Sequence, residues 1–370
     1  MRDYINFESN VRFLFPIDGD VINCHDIAKI DGKECIKVKL ISDSPVKVNG
    51  VELEKVGNIY TGYVPFQGKS SVFNAESQRG EKDSVTVYSF DKTVGYYRLS
   101  SDDNIYFLYN INKNKDVYKS IFEDPYLAVY KKAHDLYGAC AHLNIYYRMP
   151  ESHPDFSLER EEFDLSMMTD KFKAEWEENS HWLKLNFHAK QDLPPKPYEN
   201  TDYDTIYRDC LAVQQEIRRF AGEKTLSKET TLHFGACTYE GVRALRALDI
   251  KTLGAYFVLH GGKPLVSYFY PKYLVEHLGQ RDFWVDRELD MRYCKIDRVL
   301  NLHSPEESVR LLDETLSRET TAGFIELMIH EEYFYSDYRA YKPDFEARIL
   351  EPCKWAWEKG YKGIFLDDVR

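Results

Sequence analysis

Four short segments in the last two-thirds of the chain read as strands whose polar residues gather toward their C-terminal ends, and nothing else constrains the fold as much. They span residues 141–147, 182–190, 230–235 and 324–334. In the second, Leu183, Leu185 and Phe187 share one parity, and Lys184, Asn186 and His188 share the other. Leu232 and Phe234 oppose His233, while Ile325, Leu327 and Ile329 oppose Glu326, Met328 and His330. Leu143 and Ile145 likewise oppose Asn144 and Tyr146. Side chains alternate across a strand, so each segment has one aliphatic and one polar face. Helical patterns separate the strands. One opens at Asp124-Pro125 and stops at Gly138, and others cover 170–179, 203–221, 239–248, 305–317 and 343–359. A final strand is expected over 362–368. Strands alternating with helices imply a parallel sheet. In a barrel, the aliphatic faces meet the outer helices and the polar residues converge at the C-terminal ends of the strands. No G-x-G-x-x-G or G-x-x-x-x-G-K-[ST] motif follows a strand, which argues against a nucleotide-binding fold.

The first third has a different grain. Short branched or aromatic runs at 36–42, 46–56, 59–66, 83–90 and 105–111 are separated by turn-prone pieces, and Asn49-Gly50 is a strong tight-hairpin signal. The expected fold class is therefore α/β: a small all-β sandwich domain over 1–112, then an irregular seven-stranded β/α barrel over 113–370.

With 370 residues the chain is long enough for two domains. A net charge of −12 argues against nucleic acid and anionic membranes as partners. No apolar run approaches the roughly 18 residues of a membrane span. The N-terminal residues lack the basic-then-apolar pattern of a signal peptide, and the seven cysteines include no C-x-x-C pair. The expectation is a cytoplasmic protein with free thiols.

The polar strand ends carry the candidate chemistry. His188 and Asp192 lie four residues apart just past a strand, where a turning chain can hold one divalent ion from two sides. His233 faces the same axis and is a third candidate ligand or substrate-binding residue. His330 with Glu331 reads as a proton donor and its acidic neighbour. Asn144, Tyr146 and Asn186 point inward by parity, and Tyr333 and Tyr335 follow His330 at the barrel mouth, where aromatic rings can stack on a sugar.

On these residues the chain resembles the polysaccharide-deacetylase-like superfamily, whose catalytic domain is an irregular β/α barrel. His188 matches the first histidine of that family's His-x-x-x-His metal motif, and Asp192 stands where the second would be. Leu327-Met328-Ile329-His330 resembles its late Leu-x-His motif, whose histidine is the general acid, with one extra residue in the spacing. The family also opens its barrel with a Thr-Phe-Asp-Asp-Gly motif that supplies a catalytic base and a metal ligand. The strand read here as the first, 143–147, holds no acid, so Asp164 or Asp170 is expected to supply the missing carboxylate. The family's third-strand Arg-Pro-Pro-Tyr motif is absent near His233.

The resemblance implies a metal-dependent carbohydrate deacetylase, or a related amide or ester hydrolase, using a divalent ion such as zinc and acting on a carbohydrate or other small molecule. Two other readings stay open. One is a metal-independent glycoside hydrolase using a carboxylate pair from Glu326, Glu331, Asp367 and Asp368. The other is a catalytically degenerate barrel that binds a glycan.

Overall fold

The structure is a computed structural model that describes residues 4, 5, 7–150 and 152–370, the side chain of 319 aside. Its N-terminal part holds two five-stranded sheets sharing one apolar core. Strands Val11–Phe15, Lys33–Ser42 and Ile59–Pro65 pair antiparallel in one, and Val46–Val48, Ser70–Ser77 and Lys82–Ser89 in the other. Phe13, Val38, Leu40 and Val64 of the first sheet meet Val48, Phe73, Val85 and Val87 of the second. The Asn49-Gly50 hairpin forms as expected, with both residues in the left-handed region (φ 50° and 83°) that a two-residue turn demands. Arg281–Asp26 (2.6 Å) and His277–Asp20 (2.7 Å) tie this part to the rest of the chain.

The remainder is an α/β arrangement with a barrel-like core. Parallel strands Leu183–Ala189, Ala141–Tyr146, Tyr96–Asn104 and Phe324–His330 lie side by side in that order, and Arg298–Val299 pairs with the last. A second sheet carries Glu229–Thr230, Thr252–Ala255 and Met291–Lys295 in parallel. Two seams join the sheets. Ser227 donates its backbone N–H to Leu185 O (3.1 Å) on one side. On the other, Ile296 donates to Ala255 O (2.7 Å) and Asp297 to Glu326 O (3.0 Å). Leu183, Leu185, Phe187, Ile325, Leu327 and Ile329 are fully buried in the apolar cluster that faces the helices. Burying each such side chain contributes about 1.5–3 kcal/mol. No helix among the described residues is long and apolar enough to cross a membrane.

Three sequence expectations need correction. The run at 105–111 is a helix, Tyr106–Lys113, because its apolar residues form a helical face rather than an alternation. The strand before it, Tyr96–Asn104, is the first of the parallel set, ahead of the boundary expected at 112. The final strand is only Lys362–Gly363. It pairs with the start of Tyr96–Asn104, which puts Asp367 and Asp368 at the opposite end of the barrel from His330.

Candidate metal centre

The first parallel strand reads Tyr-Tyr-Arg-Leu-Ser-Ser-Asp-Asp-Asn and supplies what the sequence reading missed. Its register slips between Ser101 and Asn104, and Asp103 has a left-handed backbone (φ 62°). Such a bulge re-aims side chains at a strand end, and aspartate tolerates the conformation better than most residues. Asp102 and Asp103, adjacent in sequence, thus both border one cavity. A second slip falls at His188, where Ile145 pairs with Phe187 but Tyr146 with Ala189. His233 opens a short turn, His233–Gly235, after the two-residue strand Glu229–Thr230. The expected longer strand over 230–235 does not form.

Three ligand atoms meet at the rim. Asp103 Oδ1 is 3.0 Å from His188 Nε2 and 3.1 Å from His233 Nδ1, and the two ring nitrogens are 3.2 Å apart. All three residues are buried. The partners of the other ring nitrogens fix the tautomers. His188 Nδ1 lies 2.5 Å from Thr231 O, and His233 Nε2 lies 3.1 Å from Asp192 O and 3.2 Å from Asp192 Oδ1. Facing only acceptors, those two nitrogens carry the hydrogens. Whenever both rings are neutral, their remaining lone pairs turn toward each other and toward the Asp103 carboxylate; a proton on His233 Nδ1 instead donates to Asp103. Ligands about 2.0–2.1 Å from a tetrahedral ion stand roughly 3.3 Å apart, close to the spacing seen here. The donor set, two imidazoles and one carboxylate, suits zinc or a similar divalent ion, and Thr231 O and Asp192 supply the outer hydrogen bonds such ligands need.

The charge balance points the same way. Burial alone would lower the His233 pKa, but Asp103 and Asp192 push it up to about 10. Burial likewise works against the Asp103 carboxylate, yet His188 and His233 hold it well below the usual range. The triad draws a cation, whether a proton or a metal ion.

Asp192 lies one position further out than expected. Its Oδ1 backs His233 and its Oδ2 contacts His153 Nε2. Despite burial, His153 and His233 hold its pKa near 2. Tyr146 donates its hydroxyl to Asp103 Oδ1 (2.5 Å). Asn144 donates to Asp102 Oδ1 (2.6 Å) and accepts from Thr230 Oγ1 (2.8 Å), so it holds Asp102 from below. Asn186 donates to Ser227 O and Glu229 O (2.8 and 3.1 Å) and closes the seam between the sheets. His330 is partly exposed. Its Nδ1 lies 2.8 Å from Asn301 Oδ1, which turns Nε2 toward Asp103 Oδ2, 4.0 Å away.

The other predicted residues stand elsewhere. Glu331 turns inward and accepts from the backbone N–H groups of Ile105, Tyr106 and Phe107 (2.6–2.9 Å) and from the Tyr335 hydroxyl (2.7 Å). Glu331 and Tyr335 thereby cap the helix Tyr106–Lys113 and do not line the site. Asp164 caps a single turn through Ser166, and Asp170 is exposed in a loop. Neither borders the cavities around the triad, and Asp102-Asp103 occupies the place they were expected to fill. Glu326 is bound to Arg98 beneath the site. The carboxylates named for a glycosidase therefore do not face one another.

Two cavities open from the triad. One, of about 330 Å³, is mixed and the more polar of the two, bordered by His153, Asp155, Asp192, Glu332 and Arg339 together with Pro154, Leu193, Pro195 and Tyr338. The other, of about 340 Å³, is largely apolar. Asp103, His233, Phe234, His330 and Tyr333 border both. Besides Asp102 and Asp103, sequence reasoning missed His153 and gave no role to Glu332. Asp102-Asp103 had a signal, an acid pair directly before the apolar run that forms the helix Tyr106–Lys113. His153 lies in a loop with none.

No protein-family model matches the chain, and no curated protein matches it. Solved structures resemble it distantly. A Streptococcus mutans CE4 esterase is 11% identical, with 74% of this chain and 86% of that one covered and a TM-score of 0.37. BA3943, a CE4 family pseudoenzyme from Bacillus anthracis, is 9% identical over 79% and 81%, with a TM-score of 0.33. Agd3, a novel carbohydrate deacetylase, is 8% identical over 97% and 70%, with a TM-score of 0.39. Chemistry does not transfer at such distances, and the reading of the site rests on its own geometry.

Proposed function

We propose that this protein is a metal-dependent hydrolase that cleaves an acyl amide or ester, most simply an acetyl group, from a sugar. The observation that carries this reading is the convergence of three possible ligand atoms, from Asp103, His188 and His233, in a buried site that borders two cavities. In this reading those three residues hold a divalent ion, which when bound supplies Lewis acidity toward a carbonyl and lowers the pKa of water.

The chain's own residues do the rest. Tyr146 and Asp192 fix Asp103 and His233 from behind. Asp102, steadied by Asn144, stands beside Asp103 as the general base. His330, oriented through Asn301, presents Nε2 to the space shared by both cavities and delivers the proton to the leaving amine or alcohol. Asp102 and Asp103 fill the two roles of the acidic motif that the resemblance calls for. Tyr333 and Tyr338 offer ring faces to a sugar in the more polar cavity. The run of parallel strands from Tyr96 onward is then an irregular seven-stranded barrel, Met291–Lys295 and Arg298–Val299 being taken as one interrupted strand, and the β part before residue 90 is a separate domain.

The test is release of acetate from N- and O-acetylated sugars by protein loaded with zinc, cobalt or manganese, with His188→Ala alongside. Turnover that needs both the ion and His188 supports the reading. Turnover that persists in metal-free protein and in the variant contradicts it.

A further inference from the structure

The two cavities at the triad differ in polarity. One is mixed, with His153, Asp155, Asp192, Glu332 and Arg339 among Pro154, Leu193 and Pro195; the other is largely apolar beyond the triad, with Leu232, Leu265, Val266, Leu302 and Met328, and Phe234 stands between them. A bond cleaved at Asp103, His188 and His233 thus lies where the more polar cavity meets the apolar one. An acetyl methyl, about the size of a water molecule, fills roughly 30 Å³, and the apolar cavity measures about 340 Å³. It is far larger than the smallest acyl group requires.

The mouth of that cavity carries an independent sign. Phe234, Leu265 and Leu302 are 42%, 38% and 60% exposed, three large apolar side chains at one opening. Its wall is also built against local preference. Phe234 and Val266 both hold left-handed backbone (φ 59° and 49°), which a β-branched residue adopts only where its surroundings impose it. Gly235 packs so closely between them that a Cβ there would lie 2.6 Å from Val266 Cγ1. The wall is closely packed where Gly235 meets Val266.

We infer that the apolar cavity is a subsite for an alkyl chain, so that the acyl group removed is longer than acetyl and the substrate is a sugar, or similar polar molecule, bearing a medium-length acyl chain. This rests on the hydrolase reading above for the step itself: water adds to the acyl carbonyl, the bond to the sugar nitrogen or oxygen breaks, the leaving atom takes a proton, and a fatty acid and the free amine or alcohol result. The more polar cavity holds the sugar and the apolar cavity holds the chain.

The experiment has two readouts. Metal-loaded protein is assayed on glucosamines N-acylated with acetyl, butanoyl, hexanoyl and octanoyl groups. Separately, acetate and octanoate are titrated calorimetrically into wild type and into Leu265→Glu/Leu302→Glu, whose fold is checked by circular dichroism and melting. Each buried methylene is worth roughly fourfold, so kcat/KM is expected to rise more than tenfold from acetyl to octanoyl. Octanoate is expected to bind more than tenfold tighter than acetate, and the variant to lose most of both ratios. If the acetyl substrate is turned over while kcat/KM falls with chain length and octanoate binds no tighter than acetate, the inference is overturned and the hydrolase reading stands. If octanoate is preferred but no acylated sugar is turned over, the subsite stands and the hydrolase reading falls.

Discussion

The barrel interior has two buried polar clusters, one at its floor and one at its rim, and they differ in a way composition does not show. At the floor, Arg98 donates to Glu229 Oε1 (2.6 Å), to Glu326 Oε1 and to His142 Nδ1 (2.7 Å). His142 Nε2 then reaches Ser227 Oγ (2.6 Å), and Ser100 donates to Glu326 (2.7 Å). Every one of these contacts joins a donor to an acceptor. Glu326 Oε2 has no partner, and burial, outweighing Arg98, pushes that carboxyl's pKa up to about 8, so it keeps a proton at neutral pH. At the rim the same residue types face one another across a gap that only an added cation satisfies: a proton on His233, whose pKa burial would lower but Asp103 and Asp192 push up to about 10, or a metal ion. A network whose donors and acceptors match is structural; one that is short of a cation is capable of holding one.

The sharpest way to break this comparison is to remove the floor's own cation. Arg98→Met leaves two carboxyls and a histidine buried without their donor, and is expected to cost about 3–5 kcal/mol in urea unfolding. A loss under 1 kcal/mol would mean the floor is not held by Arg98. At the rim, His330→Ala removes the proposed proton donor, a partly exposed side chain whose hydrogen-bond partner is Asn301, with Asp103 and the Tyr333 ring beside it. It is expected to lower kcat about 100-fold or more with little change in melting temperature and unchanged metal content. An unaltered kcat would take His330 out of the chemistry.

Glu331 tests which side of the comparison a neighbouring acid belongs to. Glu331→Gln keeps the shape but turns an amide toward backbone N–H groups, and is expected to cost about 2 kcal/mol of stability while the folded protein keeps its activity. Loss of activity at full stability would restore it as a catalytic acid.

The gentlest probe is pH. Burial, against the pull of Arg98, pushes Glu229 up to about 7 and Glu326 to about 8, from an ordinary value of 4.5. Between about 4.5 and those values the folded protein keeps protons that the unfolded chain has released, so stability falls as pH rises through that window. The urea midpoint is expected to decline from pH 5 to pH 8.5, and Glu326→Gln to flatten the decline. A midpoint that rises over this range would contradict the account of the floor.

The sequence made the strand-helix alternation, the inward parity of His188 and Asn144, and the Asn49-Gly50 hairpin legible, because each depends on local period or turn chemistry; His233 reaches the site from a turn and not by strand parity. It did not reveal the first parallel strand. Tyr96–Asn104 is short of branched residues and buries Arg98, Ser100, Ser101 and Asp102, and a polar strand inside a barrel does not read as a strand. Missing it hid Asp103 and sent the search for a carboxylate to Asp164 and Asp170. Glu331 was misread for a related reason. Parity says that a side chain points inward but not whether backbone donors already wait for it there, and the helix that supplies them comes from residues more than 220 positions earlier.

The central claim is that Asp103, His188 and His233 form a cation site while the floor does not. Elemental analysis tests it most directly, on protein purified without an affinity-metal step, exchanged against a divalent-metal mixture and dialysed, wild type beside Asp103→Ala and Glu326→Gln. The account predicts about one equivalent of a single transition metal in wild type and Glu326→Gln, and almost none in Asp103→Ala. Wild type that retains no metal, or Asp103→Ala that retains as much as wild type, would contradict it.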